Sequence, residues 1–263
     1  MSRIGLLADV HANLPALRTA LRALEEVGVD RVLVAGDLVG YGASPDACVE
    51  LLAEASATCV AGNHDLLVVG RLAPTRFPTV ARRAASLTTD RIGRDTQAFL
   101  EALPLVLHTD GIVMAHGSLD DPEEYVQTAD RGHQLLSTVM ERFPGATTLV
   151  LGHTHHPWHL RGTRRGDGVR RRLINPGSVG QSRAREREPH VRLAVLDGAD
   201  VAPRFLRLPY EVEVARADLR ACGLSELGLH HPPPWTSVIG DRLPPRARTW
   251  AAARRRQLQG ARS

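Results

Sequence analysis

Five times within the first 155 residues, an apolar run of strand length stops on groups that can ligate a metal. Residues 3–8 run into Asp9-Val10-His11, 31–35 into Gly36-Asp37, and 57–61 into Gly62-Asn63-His64-Asp65. Residues 111–115 run into His116-Gly117, and 148–151 into Gly152-His153-Thr154-His155. Runs this short and this apolar read as strands buried on both faces, which is the pattern of α/β sheets. Ligand sites in such sheets form at the strand ends. A fold that brings these five ends to one edge collects the carboxylate, imidazole and amide donors of a dinuclear metal centre. Such a centre activates water against phosphorus.

The segments between the patches support this fold class. Asn13-Leu14-Pro15 opens a helix, with Asn13 as N-cap and Pro15 in the first turn. Leu17, Leu21 and Leu24 recur at helical spacing, and Gly28 ends the helix. Ser44-Pro45 starts a second helix with Cys48, Leu51 and Leu52 inward. Strand–helix alternation over residues 3–61 predicts parallel strands with right-handed crossovers. Residues 66–104 carry no metal-type motif and read as two helices, 80–87 and 96–103, covering one side of the site. Strands are expected at 105–115, 147–151, 170–174, 191–196 and 202–208, the later ones in a second, more antiparallel sheet. From His230 the prolines at 232–234 and 244–245 break regular structure, and residues 246–256 are expected to form a terminal helix. The division is therefore one domain over 1–225 and a Pro/Arg-rich extension over 226–263.

Composition removes several alternatives. All 33 basic residues are arginine, which excludes P-loop, Schiff-base and Ser-Lys chemistry. No apolar stretch approaches the ~20 residues of a membrane helix, and the first apolar run is interrupted by Asp9 and His11, unlike a signal peptide. Cys48, Cys59 and Cys222 are odd in number and lack CxxC spacing, so a reducing cytoplasm is expected. The net charge of +4 is concentrated at residues 161–172 and 242–262. Solvated loops explain these runs; attraction of anions or nucleic acid is the sharper alternative. With 4% aromatic residues the chain has little to stack on single strands.

Each patch has its own chemistry. Asp9 and His11, two apart in an extended segment, share one face and can hold one ion. Asp37 is the expected bridge, because a carboxylate joins two ions more readily than a neutral ligand; alone it would read as a turn cap. Gly36 before it permits close backbone approach. Asn63 reads as a hard-ion ligand and His64 as a proton donor to the leaving oxygen, its ring oriented by Asp65. His116 ends a strand. His153 and His155 again share a face of an extended segment, and with His156 and His159 nearby the spacing leaves open which of them bind. His108, His133, His190, His230 and His231 read as surface or loop residues.

This series resembles the calcineurin-like metallophosphoesterases, in particular their small bacterial phosphodiesterase and phosphatase branch. The segments Asp9–Leu17, Gly36–Gly42 and Asn175–Ser178 match as well, and the likeness spans residues 3–210. It implies a four-layer α/β/β/α sandwich of two mixed sheets flanked by helices. It further implies Asp9, His11 and His155 on one metal, Asn63, His116 and His153 on the other, Asp37 bridging and His64 as outer-sphere acid. The expected cofactors are two divalent transition-metal ions, drawn from Mn, Fe, Co, Ni and Zn. The expected substrate is a small phosphomonoester or phosphodiester, nucleotides included, attacked by hydroxide shared between the ions. The competing expectation is a nucleic-acid- or protein-binding scaffold that uses the same fold and its basic tail. Relatives of that kind have lost ligands, and here every ligand position is filled.

Overall fold

The computed structural model describes residues 2–162, 169–198 and 201–231. The chain begins with β1 (Ile4–Leu7), α1 (Leu14–Val27), β2 (Arg31–Val34), α2 (Pro45–Glu54) and β3 (Thr58–Cys59). Three helices follow: α3 (Asn63–Val68), α4 (Thr79–Thr89) and α5 (Arg94–Ala102). Then come β4 (Val106–Thr109), β5 (Ile112–Ala115), α6 (Ala129–Arg142), β6 (Thr148–Val150) and β7 (Trp158–Arg161). The chain continues with β8 (Arg172–Asn175), β9 (Val191–Leu196), β10 (Arg204–Leu208) and α7 (Val212–Ala221).

The strands form two five-stranded sheets, ordered β10-β9-β1-β2-β3 and β4-β5-β6-β8-β7. As the strand–helix alternation predicts, β1, β2 and β3 are parallel. Strand alternation explains the layers. Ile4 and Leu6 of β1 face the second sheet and meet Ile112 and Met114 of β5 in a core between the sheets. Leu7 points the other way, into the core shared with Leu17, Ala20 and Leu24 of α1. Val113 and Ala115 of β5 likewise turn outward, onto Leu135, Leu136 and Val139 of α6. Both faces of each sheet are covered, which is why the central strands are mostly apolar. The result is the expected α/β/β/α sandwich of mixed sheets.

Helix α1 begins and ends as its sequence suggests. Asn13 Oδ1 accepts from the Ala16 amide at 3.2 Å, and Gly28 terminates the helix at φ 71°. One expectation needs correction. The late strands do not build a sheet of their own. β9 and β10 return antiparallel to the edge of the first sheet, beside β1. β8 joins the second sheet parallel to β6, with β7 antiparallel outside it. The β7 strand was not anticipated, because its run of Trp158-His159-Leu160-Arg161 is half polar and half-buried. The terminal helix expected over residues 246–256 lies outside the described residues.

Candidate metal centre

The five strand ends meet at one edge of the sandwich, and hydrogen bonds between their loops lock them together. The Asp9 amide donates to the Gly36 carbonyl at 3.0 Å, and the Gly152 amide to the His116 carbonyl at 2.8 Å. The His153 amide donates to Asp9 Oδ1 at 3.1 Å, which ties the two sheets across the site. Gly36 sits where these loops cross. A Cβ there would stand 2.7 Å from the Gly62 amide nitrogen and 2.8 Å from His116 Nδ1.

All seven expected ligands converge here, each at most 5% exposed. Asp9, His11 and His155 form one group whose ligating atoms lie within 4.8 Å of one another; Asp37, His116 and His153 form a second. Asn63 Oδ1 stands 3.1 Å from His116 Nε2, beside the second group. Asp37 lies between the two. Its Oδ2 is 3.7 Å from His11 Nε2 and 3.2 Å from His116 Nε2, while its Oδ1 accepts from the His64 amide at 2.8 Å.

The side chains reach the site by a route different from that expected. Asp9, His11, His153 and His155 are not on strands; they follow β1 and β6 in left-handed backbone, at φ 54°, 49°, 65° and 62°. Asp37 shares this conformation at φ 55°. Of the nine non-glycine residues with positive φ among the described residues, five are candidate ligands. Strain of this kind persists where the surroundings over-determine it, and it marks functional sites. Alternation along an extended strand therefore does not aim these pairs; left-handed backbone at both members of each does.

The donor chemistry fits cations. The carbonyl of Val39 faces His11 Nδ1 at 3.3 Å, and the carbonyl of Gln181 faces His155 Nδ1 at 2.8 Å. A carbonyl only accepts, so each Nδ1 carries the hydrogen. The two Nε2 lone pairs then confront each other at 3.2 Å. Asp9 Oδ2 is also buried with no hydrogen-bond partner among the described residues. A cation placed among these three atoms satisfies all of them. In the second group, His116 Nδ1 donates to the Ala35 carbonyl at 2.7 Å and leaves Nε2 facing the oxygens of Asn63 and Asp37. His153 Nε2 donates to the Glu123 carbonyl at 3.1 Å, which leaves its Nδ1 for a ligand.

The charge balance follows from burial and neighbours. Burial holds the His11 and His155 imidazoles well below their usual range and His153 at about 3. Burial also opposes the charge on His116, but the Asp37 carboxylate overrides it and pushes His116 up to about 9. Burial pushes Asp9 up to about 7, against the pull of His116.

His64 heads α3 with its ring 4.9 Å from His11 and 4.5 Å from Tyr41, centroid to centroid. It also lies within 4.8 Å of the ligating atoms of His11 and Asp37, so distance alone does not separate an acid from a ligand. Its Nδ1 is buried without a hydrogen-bond partner among the described residues. Asp65 does not orient this ring, contrary to expectation. Its carboxylate accepts backbone N–H bonds from Leu38, Val39 and Gly62 at 2.9, 3.1 and 2.8 Å, and so welds the loop after β2 to α3. His159 lies on β7.

The site opens into a cavity of about 500 Å³. As expected, the 66–104 segment covers one side, through Arg76, Phe77, Pro78 and Val80. Tyr41, Glu123, Tyr125, His156, Arg183, Leu227 and His231 complete the lining. His231 reads from sequence as a surface residue, and it sits at this rim because the segment before it docks on the 181–184 loop. Gln181 Nε2 donates to the Leu227 carbonyl at 2.9 Å, and the His231 amide to the Ser182 carbonyl at 2.9 Å.

Residues 2–199 match the family model of the calcineurin-like phosphoesterase superfamily domain. The uncharacterised protein MJ0912 of Methanocaldococcus jannaschii is 29% identical over 230 residues, covering 81% of this chain and 90% of that protein. A metallophosphoesterase of Sphaerobacter thermophilus has a similar structure, with TM-score 0.69 and 31% identity, over 87% of this chain and 96% of that one. The hypothetical protein PH1004 of Pyrococcus horikoshii shares the fold at TM-score 0.73 and 21% identity, over 87% and 96%. With the family model spanning most of its length, this chain belongs to the calcineurin-like phosphoesterase superfamily.

Proposed function

We propose that the protein is a metal-dependent phosphoesterase that hydrolyses small phosphomonoesters or phosphodiesters, nucleotides included, at a dinuclear centre. The observation that carries this reading is the pair of buried donor groups with Asp37 reaching both, and, in the first of them, opposed imidazole nitrogens beside an unpartnered Asp9 oxygen. Asp9, His11 and His155 would hold one ion, Asn63, His116 and His153 the other, and Asp37 both. Imidazole, carboxylate and amide donors suit Mn, Fe, Co, Ni or Zn. Ions held there would supply a nucleophilic oxygen at neutral pH and neutralise charge on the phosphoryl group.

The chain's own residues do the remaining work. Asp37 and the backbone crossing at Gly36 and Gly62 set the spacing of the two groups. His64 is the proposed acid: its side chain lines the cavity, where it can protonate a departing alkoxide, and a bound phosphoryl anion raises the proton affinity of a neighbouring imidazole. Phe77, Pro78 and Val80 wall the reacting groups off from water on one side. No helix among the described residues is long and apolar enough to cross a membrane. The cysteines, all free, support action in the reducing cytoplasm.

The test is a panel of phosphoesters assayed with metal-free protein and single added metals. Metal-restored turnover of small esters is expected. Folded, metal-loaded protein that turns over no member of the panel would contradict the reading.

A further inference from the structure

Four formally charged side chains line the cavity besides its histidines: Asp37, Arg76, Glu123 and Arg183. Asp37 belongs to the candidate metal set. Arg76 and Glu123 neutralise each other in an ion pair at 2.6 Å. Arg183 remains. No carboxylate lies within ion-pairing distance of it among the described residues. Its Nη1 donates to the Tyr125 hydroxyl at 3.1 Å, and its Nε faces Gln181 Oε1 at 3.4 Å. Its Nη2 has no hydrogen-bond partner among the described residues. The guanidinium also stands over the Tyr125 ring, 5.7 Å from the centroid.

The loop that carries Arg183 is braced from outside. Ser182 Oγ donates to Glu186, and Arg192 bonds both carboxylate oxygens of Glu186 at 3.0 and 2.8 Å. Gln181 ties the same loop to His155 Nδ1 through its carbonyl. Arg183 is thus held beside the ligand cluster by the loop that orients one of the ligands.

We propose that Arg183 binds the phosphoryl group of the substrate beside the candidate metal centre, and that it favours dianionic, terminally phosphorylated substrates over diesters. The inference rests on the phosphoesterase reading and narrows its substrate class. A guanidinium with free N–H donors makes strong, directional bonds to phosphate oxygens. A terminal phosphate offers one more unesterified oxygen and one more negative charge than a diester. Coulomb energy scales with that charge, so a fixed cation attracts the dianion about twice as strongly.

The test compares p-nitrophenyl phosphate with bis(p-nitrophenyl) phosphate, which share a leaving group, in the parent, Arg183→Gln, Arg183→Lys and Tyr125→Phe. Calorimetry of inorganic phosphate on the metal-loaded proteins runs beside it. In Arg183→Gln, kcat/KM for the monoester should fall about 10²-fold, as for loss of one electrostatic donor. Halving the interaction energy makes the diester loss about 10-fold. Phosphate affinity should weaken with the monoester, and Arg183→Lys should recover part of the loss. Equal losses on both esters, or unchanged phosphate affinity in folded, metal-loaded Arg183→Gln, would overturn the proposal. If the parent turns over neither ester, the wider panel of phosphoesters decides the phosphoesterase reading, and phosphate affinity still decides the role of Arg183. If Arg183→Gln does not fold, Tyr125→Phe decides: it removes the hydroxyl that aims Nη1, so a raised KM for the monoester is expected, and an unchanged KM counts against the proposal.

Discussion

Replacing Asp37 with asparagine changes one atom and should separate metal binding from folding. The amide oxygen can still accept the His64 N–H now bound by Oδ1 at 2.8 Å. The amide nitrogen takes the place of Oδ2, 3.2 Å from His116 Nε2 and 3.7 Å from His11 Nε2. There it donates to an imidazole lone pair, and a buried negative charge is gone. The variant also loses the carboxylate that pairs with His116, so without metal it should fold but be somewhat less stable than the parent without metal. The metal-loaded states should diverge. An ion at one hundred times its Kd stabilises the native state by about 2.7 kcal/mol. For a domain of this size each kcal/mol moves Tm by about 2–4 °C. One filled site should thus raise the parent's Tm by about 5–10 °C and two sites by about twice that, if the chain unfolds in one step. Asp37→Asn weakens both sites, so the metal-induced rise should drop to less than half. Scanning calorimetry with and without chelator, beside elemental analysis, reads both quantities. Full metal content and a parental rise in Asp37→Asn would refute Asp37 as the shared ligand.

Three further outcomes are expected. His64→Ala should keep its metal and lose about 10²–10⁴-fold on an alkyl phosphoester, but much less on a nitrophenyl ester, whose leaving group needs little protonation; equal losses on both would remove His64 as the acid. Gly40 sits at φ 90°, and a Cβ there would stand 2.4 Å from His64 Nδ1, so Gly40→Ala should cost at least about 1–2 kcal/mol in denaturant unfolding and lower turnover with it; parental stability would contradict the packing described. Burial opposes the charge on Glu186, but Arg192 and Ser182 overrule it and hold its carboxyl at about 2. A depressed folded-state pKa adds stability that is present above the unfolded value and lost as pH falls toward about 2, so Glu186→Gln should flatten the acid limb of the stability profile below pH ~4.5; an unchanged limb would show that the loop brace carries no weight.

The central strands were legible because both sheet faces are covered, which leaves β1 and β5 apolar throughout and β2 and β6 apolar after their first residue. The ligand types were legible because nothing else in the fold needs Asp, His and Asn directly after a strand. Their aim was not. The reasoning for Asp9 and His11 assumed extended backbone, whereas the chain turns left-handed at both, a conformation that spacing does not encode for non-glycine residues. Asp65 was misread because a carboxylate beside a histidine suggests a side-chain pair, and its real partners are three backbone amides from two loops. The antiparallel return of β9 and β10 depends on where a long connection lands, which local pattern does not record. Arg183 is one of 33 arginines, and only the fold distinguishes it, by placing its charge in the cavity with no carboxylate paired to it among the described residues.

The measurement to make first is a titration of metal-free protein with Mn²⁺, following bound metal and hydrolysis of p-nitrophenyl phosphate on the same samples. Two ions should bind per chain, turnover should appear as they bind, and chelation should reverse both. Folded protein that binds no metal, or that hydrolyses the ester equally well without it, would contradict a dinuclear centre built on Asp9, His11, Asp37, Asn63, His116, His153 and His155.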